Sequence, residues 1–368
     1  MNSKERVLKA LNHQEPDRVP LDYGALWGVT ERLCQYLGCD PALPASTYQA
    51  YPEQLLQRLG VDIRIVRARY IGDEVKKLPD GGYIDLWGVE IGKEGYPVGH
   101  PLAQATTVAD IEGYCWPDPD AYDYEHYAAA CEAMGDYAVC GGDWCPFFTW
   151  SLELMGTEQF FVNMYERPEV VNALLTRVTD YYYETTRRMF EAARGKLDIF
   201  FMGDDYGTQR RPFIRPEDFR RFCLPQTRRL YGLAKRYGLK VMQHSCGSIR
   251  LLLPDLIEAG LDALDPVQVR AADMDINDLK RDFGRQITFH GSIDTQRTLP
   301  MGTVEDVRNE VLDRLRNVAP GGGLILCGSQ DYIADIPLEN IVTIYDTVLE
   351  YGHYRSLGYP ISSRKGAH

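Results

Sequence analysis

From about residue 137 the chain repeats one pattern: a short apolar run, then a longer segment whose apolar positions fall three and four apart. The apolar runs cover residues 137–140, 197–202, 240–242, 263–264, 286–289 and 324–326, and residues 61–66 supply an earlier one. These seven are expected to be strands, with helices between them. Proline at an early helical position marks two of the helix starts, Arg215-Pro216-Glu217-Asp218 and Ile336-Pro337-Leu338-Glu339. Strand, helix, strand in one direction predicts a parallel sheet. A Gly-rich phosphate turn after the first strand would suggest an open doubly wound sheet, and the sequence has none there. The pattern therefore predicts an α/β fold, a (β/α)8 TIM barrel.

Before that rhythm starts, helix-like spacing covers residues 4–11, 29–37 and 52–59, interrupted by Pro20, Pro41 and Pro44. Polar–apolar alternation at 76–92, on either side of Pro79-Asp80-Gly81-Gly82, predicts a β-hairpin insertion. With no internal repeat and no Ser-, Gly- or Pro-rich linker, the expectation is one domain: residues 1–60 an N-terminal helical cap, residues 61–354 the barrel with its hairpin near 76–92.

Composition narrows the class. The 368 residues are 45% hydrophobic, enough for a large core, and 40 basic against 53 acidic residues leave a net charge of −13. That sign disfavours nucleic acid and anionic lipid as partners. No apolar stretch reaches membrane-spanning length and no signal-peptide pattern opens the chain, so a cytoplasmic location is expected. Nine scattered cysteines suggest reduced thiols rather than a disulfide framework.

In a barrel the C-terminal strand ends converge on one mouth, so the polar residues after each apolar run are the candidates for chemistry. His244 and Cys246 are two apart at one strand end, where alternation sends both side chains the same way, and Cys327 ends the last strand. One imidazole and two thiolates suit tetrahedral zinc and leave a fourth position open, as in a catalytic site. A buried cysteine is also simply a small hydrophobe, and the His-x-Cys pair alone is a weak signal. A third soft ligand on an independent strand strengthens it. Asp204 and Asp294 are the candidate catalytic acids. Asp143, Trp144, Asp205, Tyr206 and Gln243 are the candidate substrate-binding residues at neighbouring strand ends. Adjacent carboxylates on an extended chain cannot both enter one pocket, so one of Asp204 and Asp205 is expected to face the mouth while the other caps a helix or turns away. His290 reads as a core histidine.

Gln243-His244-Ser245-Cys246-Gly247, His290-Gly291-Ser292-Ile293-Asp294 and Cys327-Gly328-Ser329-Gln330, with Pro337-Leu338-Glu339-Asn340 and the opening Glu15-Pro16-Asp17-Arg18-Val19-Pro20, resemble the uroporphyrinogen decarboxylase superfamily, and more narrowly its zinc-dependent, corrinoid-linked methyltransferase branch. The resemblance covers nearly the whole chain. It implies zinc on His244, Cys246 and Cys327, a corrinoid (cobalamin) carried by a partner protein, and methyl transfer to or from a small molecule. The decarboxylase proper opens with an Arg- and Gln-rich segment for its substrate's carboxylates. Here Leu21-Asp22-Tyr23-Gly24-Ala25-Leu26 follows the proline, which argues against a polyanionic tetrapyrrole. A methoxylated aromatic or similar methyl donor is the preferred expectation. The alternatives are methyl transfer to a thiol, for which Arg210, Arg211 and Arg250 are candidate anion anchors, and a metal-free decarboxylase or lyase of the same superfamily.

Overall fold

The computed structural model describes residues 1–42, 51–73 and 75–357; the break expected at Pro44 lies outside them. Seven parallel strands follow one another round a curled sheet in chain order: β1 (Ile63–Ile65), β2 (Ala138–Gly141), β3 (Ile199–Gly203), β4 (Lys240–His244), β5 (Ala263–Val267), β6 (Thr288–Ile293) and β7 (Leu324–Gly328). Helices such as Pro168–Ala193, Leu224–Arg236, Ile276–Phe283 and Val304–Asp313 carry the chain back between strands. This is the TIM-barrel-like architecture that the rhythm of the sequence predicts. Strands covered on both faces carry near-continuous apolar runs, because neither side meets water.

Strand β6 runs past the expected 286–289, through His290 and Gly291 to Ile293. The expected helix start at Pro216 opens a short helical turn that passes through a π-helical stretch, Phe219–Cys223, into Leu224–Arg236. Pro337 stands one place earlier than expected, at the N-cap of Leu338–Tyr351. The expected hairpin is larger than its sequence signal. Lys76–Lys77, Tyr83–Ile84, Glu90–Ile91 and Pro97–Gly99 form a four-stranded antiparallel meander. The alternation at 76–92 and the Asp-Gly turn mark one hairpin, and strands of two or three residues are too short to show the further pairing to Pro97–Gly99.

Strands β1 and β7 are not neighbours in the sheet, and Pro20–Asp22 fills the place between them. Leu326 N–H donates to the Pro20 carbonyl at 2.9 Å, Asp22 N–H donates to Leu326 at 3.2 Å, and Asp62 N–H donates to Leu21 at 2.8 Å. Part of the segment read as a cap thus runs in the ring. The helix Ser3–Leu11 lies at the N-terminal end of the strands, where Val7 and Leu11 join Ile63, Ala138, Ile199, Ala263 and Ile325 in the apolar interior. Among the described residues no helix is long and apolar enough to cross a membrane.

One buried carboxylate ties these parts together. Asp62, with no exposed surface, accepts from Arg6 Nη1 at 2.7 Å, Arg18 Nη1 at 2.8 Å, Ser3 Oγ at 2.7 Å and Leu21 N–H at 2.9 Å. Removing one partner of a buried ion pair leaves uncompensated charge. Asp62→Ala is expected to lower stability by about 3–5 kcal/mol, read as a shift of the urea midpoint at constant slope; a loss under about 1 kcal/mol would show that the knot does not hold the ring closed.

Candidate functional site

Alternation along the strands builds the site. Met242, Ala263 and Ile325 face the barrel interior, so the residues two further on, His244, Asp265 and Cys327, face inward one layer nearer the mouth; His290, two beyond Thr288 on β6, joins them. The deeper layer is apolar and the upper one polar. His244 stands in register with Asp265 on the adjacent strand, and its Nδ1 lies 2.7 Å from Asp265 Oδ2. The other oxygen of Asp265 meets His290 Nδ1 at 2.5 Å, and His290 Nε2 meets Asp22 Oδ2 at 2.9 Å. A chain of hydrogen bonds therefore crosses the barrel from β4 to the ring-closing segment.

The electrostatics follow from this chain. Burial penalises the Asp265 carboxylate, but the charge of His290 and the hydrogen bonds from both imidazoles outweigh it and hold the group well below the usual carboxylate range. Burial likewise opposes charge on His244, and hydrogen bonds to Asp265 and Cys246 push it well above the ordinary imidazole value. His290 is raised against burial chiefly by Cys327 and Asp265.

His244 Nε2, on the far side of the ring, lies 3.1 Å from Cys246 Sγ and 3.7 Å from Asp205 Oδ1. Ligand atoms of these three residues all fall within 4.8 Å of one another. The loop after β4 places Cys246: its N–H donates to Asp205 Oδ1 at 2.8 Å and Gln330 Nε2 donates to its sulfur at 2.7 Å. Gly247 makes that turn possible, with φ +82° and the Gly207 backbone 2.6 Å from where a Cβ would stand. Cys327 lines the same axial cavity of about 370 Å³, but its sulfur contacts His290, at 3.7 and 3.8 Å, and it is not a member of the close trio. Of the expected zinc ligands the structure thus groups His244 and Cys246 with Asp205, which was expected to bind substrate, and sets Cys327 against His290.

The adjacent acids part as alternation requires. Asp205 turns to the trio, while Asp204 accepts from the N–H groups of Phe148 at 2.7 Å and Thr149 at 3.0 Å and from Thr149 Oγ1 at 2.8 Å, capping the first turn of the helix Phe147–Met155. Burial pushes Asp204 up to about 7 in spite of these donors. Asp294 lines neither cavity; it accepts from the N–H groups of Gln296 and Arg297 and pairs with Arg270 Nε at 2.5 Å, which holds the loop after β6. Tyr206 is buried, its N–H donating to Ser245 Oγ and its hydroxyl to Asp204. Gln243, of opposite parity to His244, faces outward and accepts from the Tyr231 hydroxyl. Arg250 pairs with Asp282, and Arg210 and Arg211 are exposed outside both cavities.

A second chamber of about 680 Å³ adjoins the axial cavity and shares Trp144, Asp205 and His244 with it. Trp87, Trp150, Tyr181 and Tyr182 line it as one cluster, with Trp87 stacked on Trp150 at 5.6 Å. Trp87 reaches it from the antiparallel meander. Asp143 also lines it, accepting from Thr185 Oγ1 at 2.7 Å and from Trp144 N–H, its carboxyl raised by burial. The ring of Trp144 stands between the chambers, 5.4 Å from the His244 ring, in space that the missing side chain of Gly203 leaves open. Asp265, His290 and Gln330 stand in strand-end stretches but have no chemical role in the sequence reading, where His290 is a core histidine, and Asp22 and Arg67 lie outside those stretches. Counting by twos from Ala263 or Ile63 would have reached Asp265 and Arg67.

The uroporphyrinogen decarboxylase (URO-D) family model matches residues 87–351, and the chain belongs to that family. A uroporphyrinogen decarboxylase of Myxococcus xanthus is 25% identical over 350 residues, covering 88% of this chain and 90% of that one. Another, of Syntrophotalea carbinolica, is 25% identical over half of each chain. Among solved structures, a methyltransferase from Methanosarcina mazei superposes with TM-score 0.67 over 95% of this chain and 99% of that one at 20% identity, which shows a shared fold.

Because the folded chain holds the Asp204 proton more tightly than the unfolded one, it binds more protons between about pH 4 and 7, and stability falls as pH rises through that window. Asp204→Asn is expected to flatten this slope in denaturation series run from pH 4 to 7.5; identical slopes in variant and wild type would assign the dependence to another group.

Proposed function

We propose that this protein is a zinc-dependent methyltransferase that moves a methyl group between a small methylated compound, preferably a methoxylated aromatic, and the cobalt of a corrinoid carried by a separate protein. The observation that carries the reading is the donor trio. Donors at zinc–nitrogen and zinc–sulfur distances of about 2.0 and 2.3 Å stand about 3.5 Å apart in a tetrahedron, and the His244–Cys246 and His244–Asp205 separations of 3.1 and 3.7 Å lie on either side of that value. A carboxylate on the outer nitrogen of a ligating imidazole is the usual support of such a site, and Asp265 occupies that place. Cys327 lines the same cavity outside the trio, against His290.

When bound, the metal supplies Lewis acidity to the oxygen or sulfur from which the methyl group leaves. The chain's own residues do the rest. Asp265 orients the His244 ring so that Nε2 faces the cleft, Gln330 donates to the Cys246 sulfur and holds it beside His244, and Trp144 stands between the site and the wider chamber. The aromatic lining of that chamber supports a flat, apolar methyl donor.

The named relatives raise decarboxylation as a second reading. The axial cavity weighs against it: beyond Asp22 and Asp265, which His244 and His290 partner, Asp205 and Asp331 line it and among the described residues no lysine or arginine does, an environment that disfavours a polycarboxylate.

The purified protein is expected to hold about one zinc per chain. Asp265→Asn should weaken zinc affinity about 10–100-fold. Cys246→Ser and His244→Ala should lose both the metal and the formation of methylcobalamin from reduced cobalamin and a panel of methoxylated aromatics, with circular dichroism unchanged. Full activity of a zinc-free preparation, or no methylcobalamin from any donor with the metal bound, would overturn the reading.

A further inference from the structure

Five arginines are buried among the described residues: Arg6, Arg18, Arg64, Arg67 and Arg314. Four hold carboxylates. Arg6 and Arg18 meet Asp62, Arg64 meets Glu53, and Arg314 meets Glu310 and Asp313. Arg67 is different. It is 7% exposed and makes no ion pair; Nη1 donates to the Gly142 carbonyl at 2.8 Å, Nη2 donates to the Phe201 carbonyl at 2.9 Å, and the buried Nε has no partner. Of five N–H donors, two are engaged. The side chain lies two residues beyond β1, on the inward parity of Ile63 and Ile65, and lines the aromatic chamber.

A buried guanidinium without a counter-ion is costly, and other arginines of this chain show how the fold ordinarily meets that cost, with a carboxylate. Two carbonyls hold the guanidinium at the chamber wall but supply no charge. Asp143, in the same lining, feels the charge of Arg67 but makes no ion-pair contact with it, its carboxylate oxygens being taken by Thr185 Oγ1 and Trp144 N–H. The missing anion is then to be brought by the ligand.

We propose that Arg67 is the anion-binding residue of this chamber, and that the substrate is an aromatic monocarboxylate whose acid group lies on Arg67 and whose ring lies among Trp87, Trp150 and Tyr182. That the ring also bears the methyl group to be transferred rests on the proposed function; the carboxylate preference does not. A single fixed cation matches a monoanion, and its planar fork matches a carboxylate.

The test compares 4-methoxybenzoate with its neutral isostere 4-methoxybenzamide, by quenching of tryptophan fluorescence and by calorimetry on the zinc-loaded protein. Wild type is expected to bind the acid about tenfold or more tightly than the amide. Arg67→Gln should abolish that preference and leave amide binding within about twofold, which also reports an intact chamber. Arg67→Lys, which keeps the charge without the fork, should narrow the preference to a few-fold, and serves if the glutamine variant does not fold. His244→Ala should keep the preference, since the anion is held by Arg67 and not by the metal. Equal binding of the two probes by wild type, no binding of either, a preference that survives unchanged in the arginine variants, or one lost only in His244→Ala would each overturn the inference. Acid preference without methylcobalamin formation would leave Arg67 its role and remove the methyl-transfer reading.

Discussion

The candidate site depends on one buried carboxylate facing two imidazoles. Asp265 sits in register with His244 on the neighbouring strand and reaches His290 on the strand beyond, so its two oxygens fix the rotation of both rings. Turning His244 to bring Nδ1 into the cleft would strand a buried carboxylate oxygen, an outcome that costs as much as a lost charged hydrogen bond. Nε2 is thereby committed to the side where Cys246 and Asp205 stand. The chain of contacts continues through His290 to Asp22, on the segment that closes the ring. Closure of the barrel and orientation of the proposed ligand are thus coupled through side chains, and a change at Asp22 is felt at His244 although neither touches the other.

The barrel can carry such a polar layer because the layer below it is dry. Val7 and Leu11 of the first helix fill the N-terminal end beneath Ile63, Ala138, Ile199, Ala263 and Ile325. Water is kept from the base of the site, and every charged group above must find its partner within the layer or from the mouth. The histidines meet that demand for Asp22 and Asp265. The Asp62 knot does the same service at the other end, where Arg6 and Arg18 bring two early segments against β1.

Much of this was legible in the chain, and what was not has particular causes. The strands could be read because buried parallel strands are apolar at every position. That same uniformity hides which residues face inward, so Gln243 was grouped with its neighbours although it lies on the opposite parity to His244. Alternation divided Asp204 from Asp205 correctly in kind, one capping a helix and one facing the mouth, but only the position of the Phe147–Met155 helix decides which is which. Asp265 follows the apolar run 263–264 and so stands among the strand-end polar residues, but nothing in the sequence shows that it pairs with two imidazoles from neighbouring strands, since those contacts exist only in the folded sheet. Asp294 follows an apolar run as the others do, yet it pairs with Arg270 of the neighbouring loop and lines neither cavity. The ring-closing role of Pro20–Asp22 carried no periodic signal, since three residues joined by backbone hydrogen bonds on both sides need no pattern of their own.

The two adjoining cavities differ in charge in a way that gives the proposed substrate a direction. Besides Asp22 and Asp265, which the histidines partner, Asp205 and Asp331 line the axial cavity, and among the described residues no lysine or arginine does, so it disfavours an acid group. The aromatic chamber holds an arginine without an ion pair two residues beyond β1, its guanidinium 5.9 Å from the Trp144 ring. A molecule with an acid at one end and a methyl-bearing oxygen at the other is repelled from the axial cavity in one orientation and accepted in the other. Trp144, Asp205 and His244 form the shared wall. Under the proposed function, Arg67 holds the acid group in the aromatic chamber while the aspartates disfavour it in the axial cavity, so specificity can reside in residues that do no chemistry.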